Sequence, residues 1–117
     1  MREIKFRGQM VNFERGWLTG YFFKHGEKTY IAQTGTSESG KVVVGWEEVD
    51  PETIGQYIGL KDKNGVEIYE GDFVKWGEDK EKIFLITGIQ FSTIETSIYQ
   101  VIGNKWDNPE LLKEVEK

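Results

Sequence analysis

The sequence predicts a mainly β protein, and three observations predict it. Aromatic residues make up 14% of the 117-residue chain, as four Trp, five Tyr and seven Phe. With runs of Val, Ile and Thr, they suit the pleated, half-buried surfaces of strands. Fourteen glycines punctuate the chain, and one of them follows Asn64 between two apolar stretches. Asn-Gly in that setting is the strongest short-range hairpin signal, because both residues tolerate positive φ. The length suits one domain, or two small subdomains sharing a core, and buries roughly two-thirds of the unfolded surface without staples.

The elements follow in order. Ile4-Lys5-Phe6 alternates apolar and polar residues, as a short edge strand would. Trp17 to Phe23 and Lys28 to Ala32 read as two more strands, with His25-Gly26-Glu27 turning between them. Thr34 to Gly40 (TGTSESG) is polar and rich in Gly and Ser, which predicts a loop. Lys41 to Trp46 (KVVVGW) is β-branched and predicts a buried strand. Asp50-Pro51 pairs a cap residue with Pro at the first helical position, a helix-start signal. Gly55 follows too soon for more than one turn, so this segment redirects the chain.

Gln56 to Leu60 and Val66 to Tyr69 flank the Asn64-Gly65 hairpin turn. Tyr69-Glu70-Gly71-Asp72 is a second tight turn, and Phe73 to Trp76 starts the next strand. Gly77 to Lys82 (GEDKEK) is a charged loop. Ile83 to Phe91 and Ser97 to Ile102 complete the β content. The tail opens a helix at Asn108-Pro109-Glu110, with Leu111, Leu112 and Val115 on one apolar face. At about two turns it must dock on a sheet to be stable. The expected organisation is an N-terminal β-rich part over residues 1–50 and a barrel of short, bent strands with a C-terminal helical turn over 51–117. The tryptophans fall at 17, 46, 76 and 106, but their neighbours do not align, so the spacing is no repeat.

Composition excludes several chemistries. There are no cysteines, hence no disulfides, thiolate zinc sites or cysteine nucleophiles. No apolar run follows the N-terminus and none elsewhere would span a membrane, so a cytoplasmic protein is expected. Net charge is −5, unevenly placed: residues 1–30 balance at +3 and residues 31–117 at −8. An acidic chain is a poor sequence-independent nucleic-acid binder, which needs many phosphate-neutralising cations. The basic N-terminal edge of Arg2, Lys5, Arg7 and Arg15 is the exception, facing an acidic surface or a nucleic acid.

Candidate sites are few. Asp62-Lys63-Asn64-Gly65 resembles part of a calcium loop, but with Gly65 at the sixth position Leu60 and Gly71 fall where carboxylates belong. Glu67, Glu70 and Asp72 cluster near Asp50 and Glu52, as two-metal hydrolysis would need; acids are also favoured in turns for local hydrogen bonding. His25, the single histidine, sits in a predicted turn, and no Gly-x-Ser-x-Gly elbow or phosphate-cradling Gly loop is present. Tyr21, Phe22, Phe23, Tyr30, Tyr57, Tyr69, Phe73 and Trp76 could line a groove for peptides or stack bases, although a small β domain needs most of its aromatics for core.

Three blocks resemble the YopX family, small proteins found mainly in bacteriophages and prophages. They are Met1 to Arg7; Val49 to Val74, above all Thr53 to Tyr57, Gly59 to Gly65 and Ile68 to Asp72; and Val101 to Asn104 with Asn108 to Leu112. Together they cover somewhat under half the chain, in order. Ile58 and Phe73 depart mildly, standing where Thr and Ile are expected, and residues 8–48 and 77–97 match nothing. The resemblance implies an irregular N-terminal part followed by a small SH3-like barrel, and it supplies no catalytic residues. The expected function is therefore a non-enzymatic phage or prophage accessory protein, without cofactor, that binds another protein or itself. Its candidate surface is Arg2, Lys5, Arg7, Arg15, Tyr57, Tyr69 and Trp76. Nucleic-acid binding through the basic edge is the alternative, and a metal-dependent hydrolase at Glu67, Glu70 and Asp72 the second.

Overall fold

A computed structural model describes residues 4–12, 16–36, 40, 42–76, 83–87 and 99–115. Among them the protein is mainly β, with every strand pair antiparallel. The chain divides into two compact units, Lys5–Gln56 and the part from Tyr57 onward, which includes Ile4.

The first unit is built from β1 (Phe6–Gln9), β2 (Trp17–His25), β3 (Lys28–Thr36) and β4 (Val42–Val49). They lie side by side in the order β4-β3-β2-β1. β1 also pairs, through Phe6 and Arg7, with Gln56 and Gly55 at the start of β5 (Gly55–Lys61). The expected edge strand is therefore an interior one, and it lies at Phe6–Gln9 rather than at Ile4–Phe6. Pairing with β2 and β5 is non-local, and no local pattern reports it. β3 likewise extends through Thr36, past the polar composition that predicted a loop, because its ladder with β4 runs from Thr29↔Val49 to Thr36↔Val42. Residues 37–39 and 41 lie outside the described residues.

Alternation splits this sheet into two faces. Ile31 and Val49 are fully buried on one of them, and Phe6 and Phe22 meet edge to face there, centroids 4.8 Å apart. Gly8 leaves room for that core, since a Cβ there would press on Val49 and Ile54. Asp50-Pro51 starts a single 3-10 turn, Pro51–Thr53, as the cap signal predicted. Asp50 Oδ1 accepts the Glu52 N–H at 3.0 Å. Thr53 is buried; its Oγ1 accepts the Gln9 N–H at 2.8 Å and donates to the Asp50 carbonyl at 2.6 Å. Asp50 N–H donates to the Gln9 carbonyl at 2.8 Å. The turn is thus stapled to β1.

In the second unit, β5 and β6 (Glu67–Tyr69) form the predicted hairpin, with a bulge between the pairs Tyr57↔Tyr69 and Lys61↔Glu67. Gly65 closes its turn at φ +83°, and its N–H donates to the Asp62 carbonyl at 3.0 Å. β7 (Asp72–Trp76) is the centre of a second sheet, between β8 (Ile83–Leu85) and β9 (Tyr99–Asn104). The core of this unit is Ile58, Ile68, Val74 and Ile86, ringed by Leu60, Phe84, Tyr99 and Val101. β8 covers only the start of the expected Ile83–Phe91 strand; residues 88–98 and the charged loop 77–82 lie outside the described residues. Strand pairing in this unit forms open ladders, and among the described residues none closes them into a barrel. The tail is a 3-10 helix, Pro109–Glu114, and not an α-helix. Asn108 makes no side-chain cap; its Oδ1 accepts the Asn104 N–H at 3.2 Å instead. Val115 docks beside Ile83 through a parallel bridge.

Gly71 is required twice over. Its φ is +93°, and a Cβ there would run into the Trp106 ring. Its N–H donates to the Ile86 carbonyl at 2.8 Å and its carbonyl accepts from Lys105 N–H at 2.9 Å. Gly65 has the same backbone requirement but open space around it. Gly71→Ala is expected to cost about 3 kcal/mol through clash plus strain, against about 1 kcal/mol for Gly65→Ala through strain alone. Urea unfolding measures both; equal losses would remove the Trp106 contact from the account.

Candidate functional site

The outward face of the first unit's sheet carries the most exposed chemistry. Three strands place it. Register sets Tyr21 opposite Ala32 and Ala32 opposite Trp46, then Phe23 opposite Tyr30 and Tyr30 opposite Glu48, then His25 opposite Lys28. These residues alternate with buried Thr29, Ile31 and Val49, so they point the other way. Trp46 is 59% exposed, Tyr21 55% and Phe23 38%. The predicted burial of the Lys41–Trp46 strand therefore fails at Trp46. Val49 holds the core side, and period two sends Trp46 outward.

The rings have defined relations. Phe23 and Tyr30 stack as a cross-strand pair, centroids 5.2 Å apart and planes 10° from parallel. Phe23 and Trp46 meet near a right angle, 78° at 6.4 Å. With His25 these three rings line a concavity of about 300 Å³, the lower end of the range for ligand sites. On the same face Lys28 Nζ lies 3.8 Å from Glu48 Oε1, a loose and exposed pair.

The sequence-predicted surface is described only in part. Arg2 and Arg15 lie outside the described residues, as does the side chain of Trp76. Lys5 is half-buried. Arg7 stands with its guanidinium over Trp17, 4.7 Å from the ring centroid. Tyr57 and Tyr69 are core residues, 6% and 4% exposed, with rings 5.5 Å apart. Of the wider aromatic set, Phe73 is also fully buried, whereas Tyr21, Phe22 and Phe23 are exposed. Trp46 was missed because the apolar run before it suggests burial. The two acids that follow it, Glu47 and Glu48, were the signal that this end of the strand meets water.

Two acids of the second unit, Asp62 and Asp72, are engaged with backbone, and Glu67 with a side chain. Asp62 Oδ1 accepts the N–H groups of Asn64 and Val66 at 2.8 and 2.9 Å, and its Oδ2 accepts Val101 N–H at 2.8 Å. Asp72, fully buried, accepts Tyr69 N–H at 2.8 Å. Glu67 accepts the Tyr69 hydroxyl at 3.0 Å. Among the described residues no three His, Asp or Glu side chains are grouped to hold a metal ion, and no helix is long and apolar enough to cross a membrane.

Two antiparallel β units, one of them presenting an aromatic face to solvent, define a small mainly β protein. The family model described as YopX protein matches residues 5–113. The chain belongs to the YopX family. It is also similar in structure to protein EF1440 from Enterococcus faecalis, known from a crystal structure, with a TM-score of 0.52 and 24% identity over 96% of this chain and 99% of that one. That likeness speaks for the fold alone. No curated protein matches.

Two stability measurements separate surface from core. Trp46→Ala is expected to change unfolding free energy by no more than about 0.5 kcal/mol, and Tyr69→Ala to cost about 3–5 kcal/mol; a large loss at Trp46 would mean that its ring is packed. Asp62→Ala, which orphans three amides, is expected to cost about 3 kcal/mol in chemical denaturation, with Asp62→Asn losing less because one acceptor oxygen remains.

Proposed function

We propose that this chain is a non-catalytic accessory protein of a phage or prophage that binds another protein through the aromatic face of β2, β3 and β4. The observation that carries the reading is the outward pair Trp46 and Phe23, exposed at right angles over the concavity. Monomeric proteins rarely leave contiguous apolar patches uncovered unless they serve an interaction, and Trp and Tyr dominate the energetics of protein contacts. The absence of cysteine supports action in the host cytoplasm. The short strands and the bulged hairpin of the second unit support an SH3-like arrangement there, acting as scaffold.

The basic edge finds less support, because the Arg7 guanidinium lies over Trp17. The hydrolase reading at Glu67, Glu70 and Asp72 also finds less support, because Asp72 is bonded to the Tyr69 amide and Glu67 to the Tyr69 hydroxyl.

The test compares capture from phage-infected host lysate by the wild-type chain and by the Trp46→Ala, Phe23→Ser double variant. A protein retained by the first and lost from the second is the expected result. Light scattering runs beside it: a dimer that the same substitutions dissociate would make the partner a second copy. A monomer whose retained proteins are unchanged by the double variant would overturn the aromatic face as the binding surface.

A further inference from the structure

The aromatic face also indicates what chemistry it takes, an inference that rests on the binding reading above. Trp17, on β2, carries the Arg7 guanidinium 4.7 Å from its ring centroid. Trp106, in the other unit, carries the Lys105 ammonium at 4.9 Å. The chain thus places its own cations over tryptophan faces, where the ring quadrupole attracts positive charge. Trp46 is more exposed than either, and among the described residues no cation lies over it.

Its surroundings suit a cation from outside. Trp46 and Phe23 meet near a right angle, so two ring surfaces wall one corner, and Tyr30 extends the Phe23 side by stacking. Glu48 follows two residues along β4 on the same face, directly opposite Tyr30. Its carboxylate already holds an ammonium, Lys28 Nζ, at 3.8 Å, but loosely: the Lys28 side chain is 62% exposed. A better-placed cation can displace such a partner. Trp46 and Glu48 belong to residues 31–117, which balance at −8, a charge that draws a basic partner and repels a phosphate backbone.

We propose that the concavity lined by Phe23, His25, Tyr30 and Trp46 seats an arginine side chain from a basic segment of a partner protein, its guanidinium against Trp46 and Phe23 and its charge met by Glu48. Arginine fits better than lysine, because a planar guanidinium stacks on a ring while its edge donates to a carboxylate.

The experiment titrates the full chain with a short oligo-arginine peptide and, separately, with the citrulline peptide of equal length, a neutral isostere. The readout is the indole N–H signal of Trp46 in a two-dimensional NMR spectrum, assigned by its disappearance in Trp46→Phe. The Trp46 signal is expected to move with the arginine peptide, with binding about three- to tenfold tighter than for citrulline. Glu48→Gln is expected to weaken the arginine peptide about threefold and leave the melting temperature unchanged. Equal binding of both peptides, a Trp46 signal that arginine does not move, or a response to oligothymidylate in place of arginine would each overturn the proposal. If arginine gains no preference while partner capture still depends on Trp46 and Phe23, the cation chemistry falls and the binding face stands. If Trp46 selects arginine but no captured protein depends on the face, the cation chemistry stands and the reading of the face as a protein-binding surface falls.

Discussion

The second unit hangs on one carboxylate. Asp62 sits at the mouth of the β5–β6 hairpin and receives three backbone N–H groups, two from its own turn and one from Val101, 39 residues away on β9. The neighbouring Lys63 N–H reaches the Tyr99 carbonyl at 3.0 Å. Charged acceptors form stronger hydrogen bonds to backbone than neutral ones do, so a single side chain fixes the turn and binds a distant strand to it. With β9 held there, Val101 and Tyr99 can pack around Ile58, Ile68, Val74 and Ile86. Asp72 acts in the same way on Tyr69 N–H at the next turn. Asp62 and Asp72, two of the acids that looked like reaction chemistry, are therefore joints of the scaffold.

In the first unit a hydroxyl does comparable work. Thr53 closes the turn after β4 onto β1 by accepting from Gln9 and donating to Asp50. That staple brings the chain to Gly55 and Gln56, which pair with β1 and begin β5. One face of the sheet is then filled by residues such as Ile31 and Val49. The other keeps Tyr21, Phe23 and Trp46 in contact with water, forgoing part of the about 1.5–3 kcal/mol that full burial of each large side chain would bring.

What was legible in the sequence was the local chemistry. Asn64-Gly65, Asp50-Pro51 and Gly71-Asp72 each dictate a turn through φ preference or capping, and each turn stands where it was expected. Pairing was not legible. β1 reads as an edge because three alternating residues cannot reveal a neighbour on each side. Trp46 reads as buried because the apolar run before it says only that one face is covered, not which. Tyr57 and Tyr69 read as candidate surface until cross-strand register placed them opposite each other in the core. Asn108-Pro109 looks like a helix cap, yet the Asn108 side chain bonds back to Asn104, and the segment that follows winds as a 3-10 helix.

The short motifs that carry the resemblance and the aromatic face reside in different residues. The stretch from Val49 to Trp76 carries the family resemblance because it is dense in positions with strict backbone demands: a capped turn, a bulge, a Gly at φ +83° and another at φ +93°. Such positions accept few substitutions, which makes a pattern easy to recognise and leaves it silent about ligands. The aromatic face lies within residues 8–48, outside the short blocks that carry the resemblance, although the family match over residues 5–113 includes them. Its residues are constrained only to alternate outward on strands whose other side is core. Trp, Phe and Tyr are costly choices for that requirement, since Thr or Lys would satisfy a solvated strand equally well. Their presence at Trp46, Phe23 and Tyr30 is what the backbone does not explain, and it is the ground for proposing recognition there.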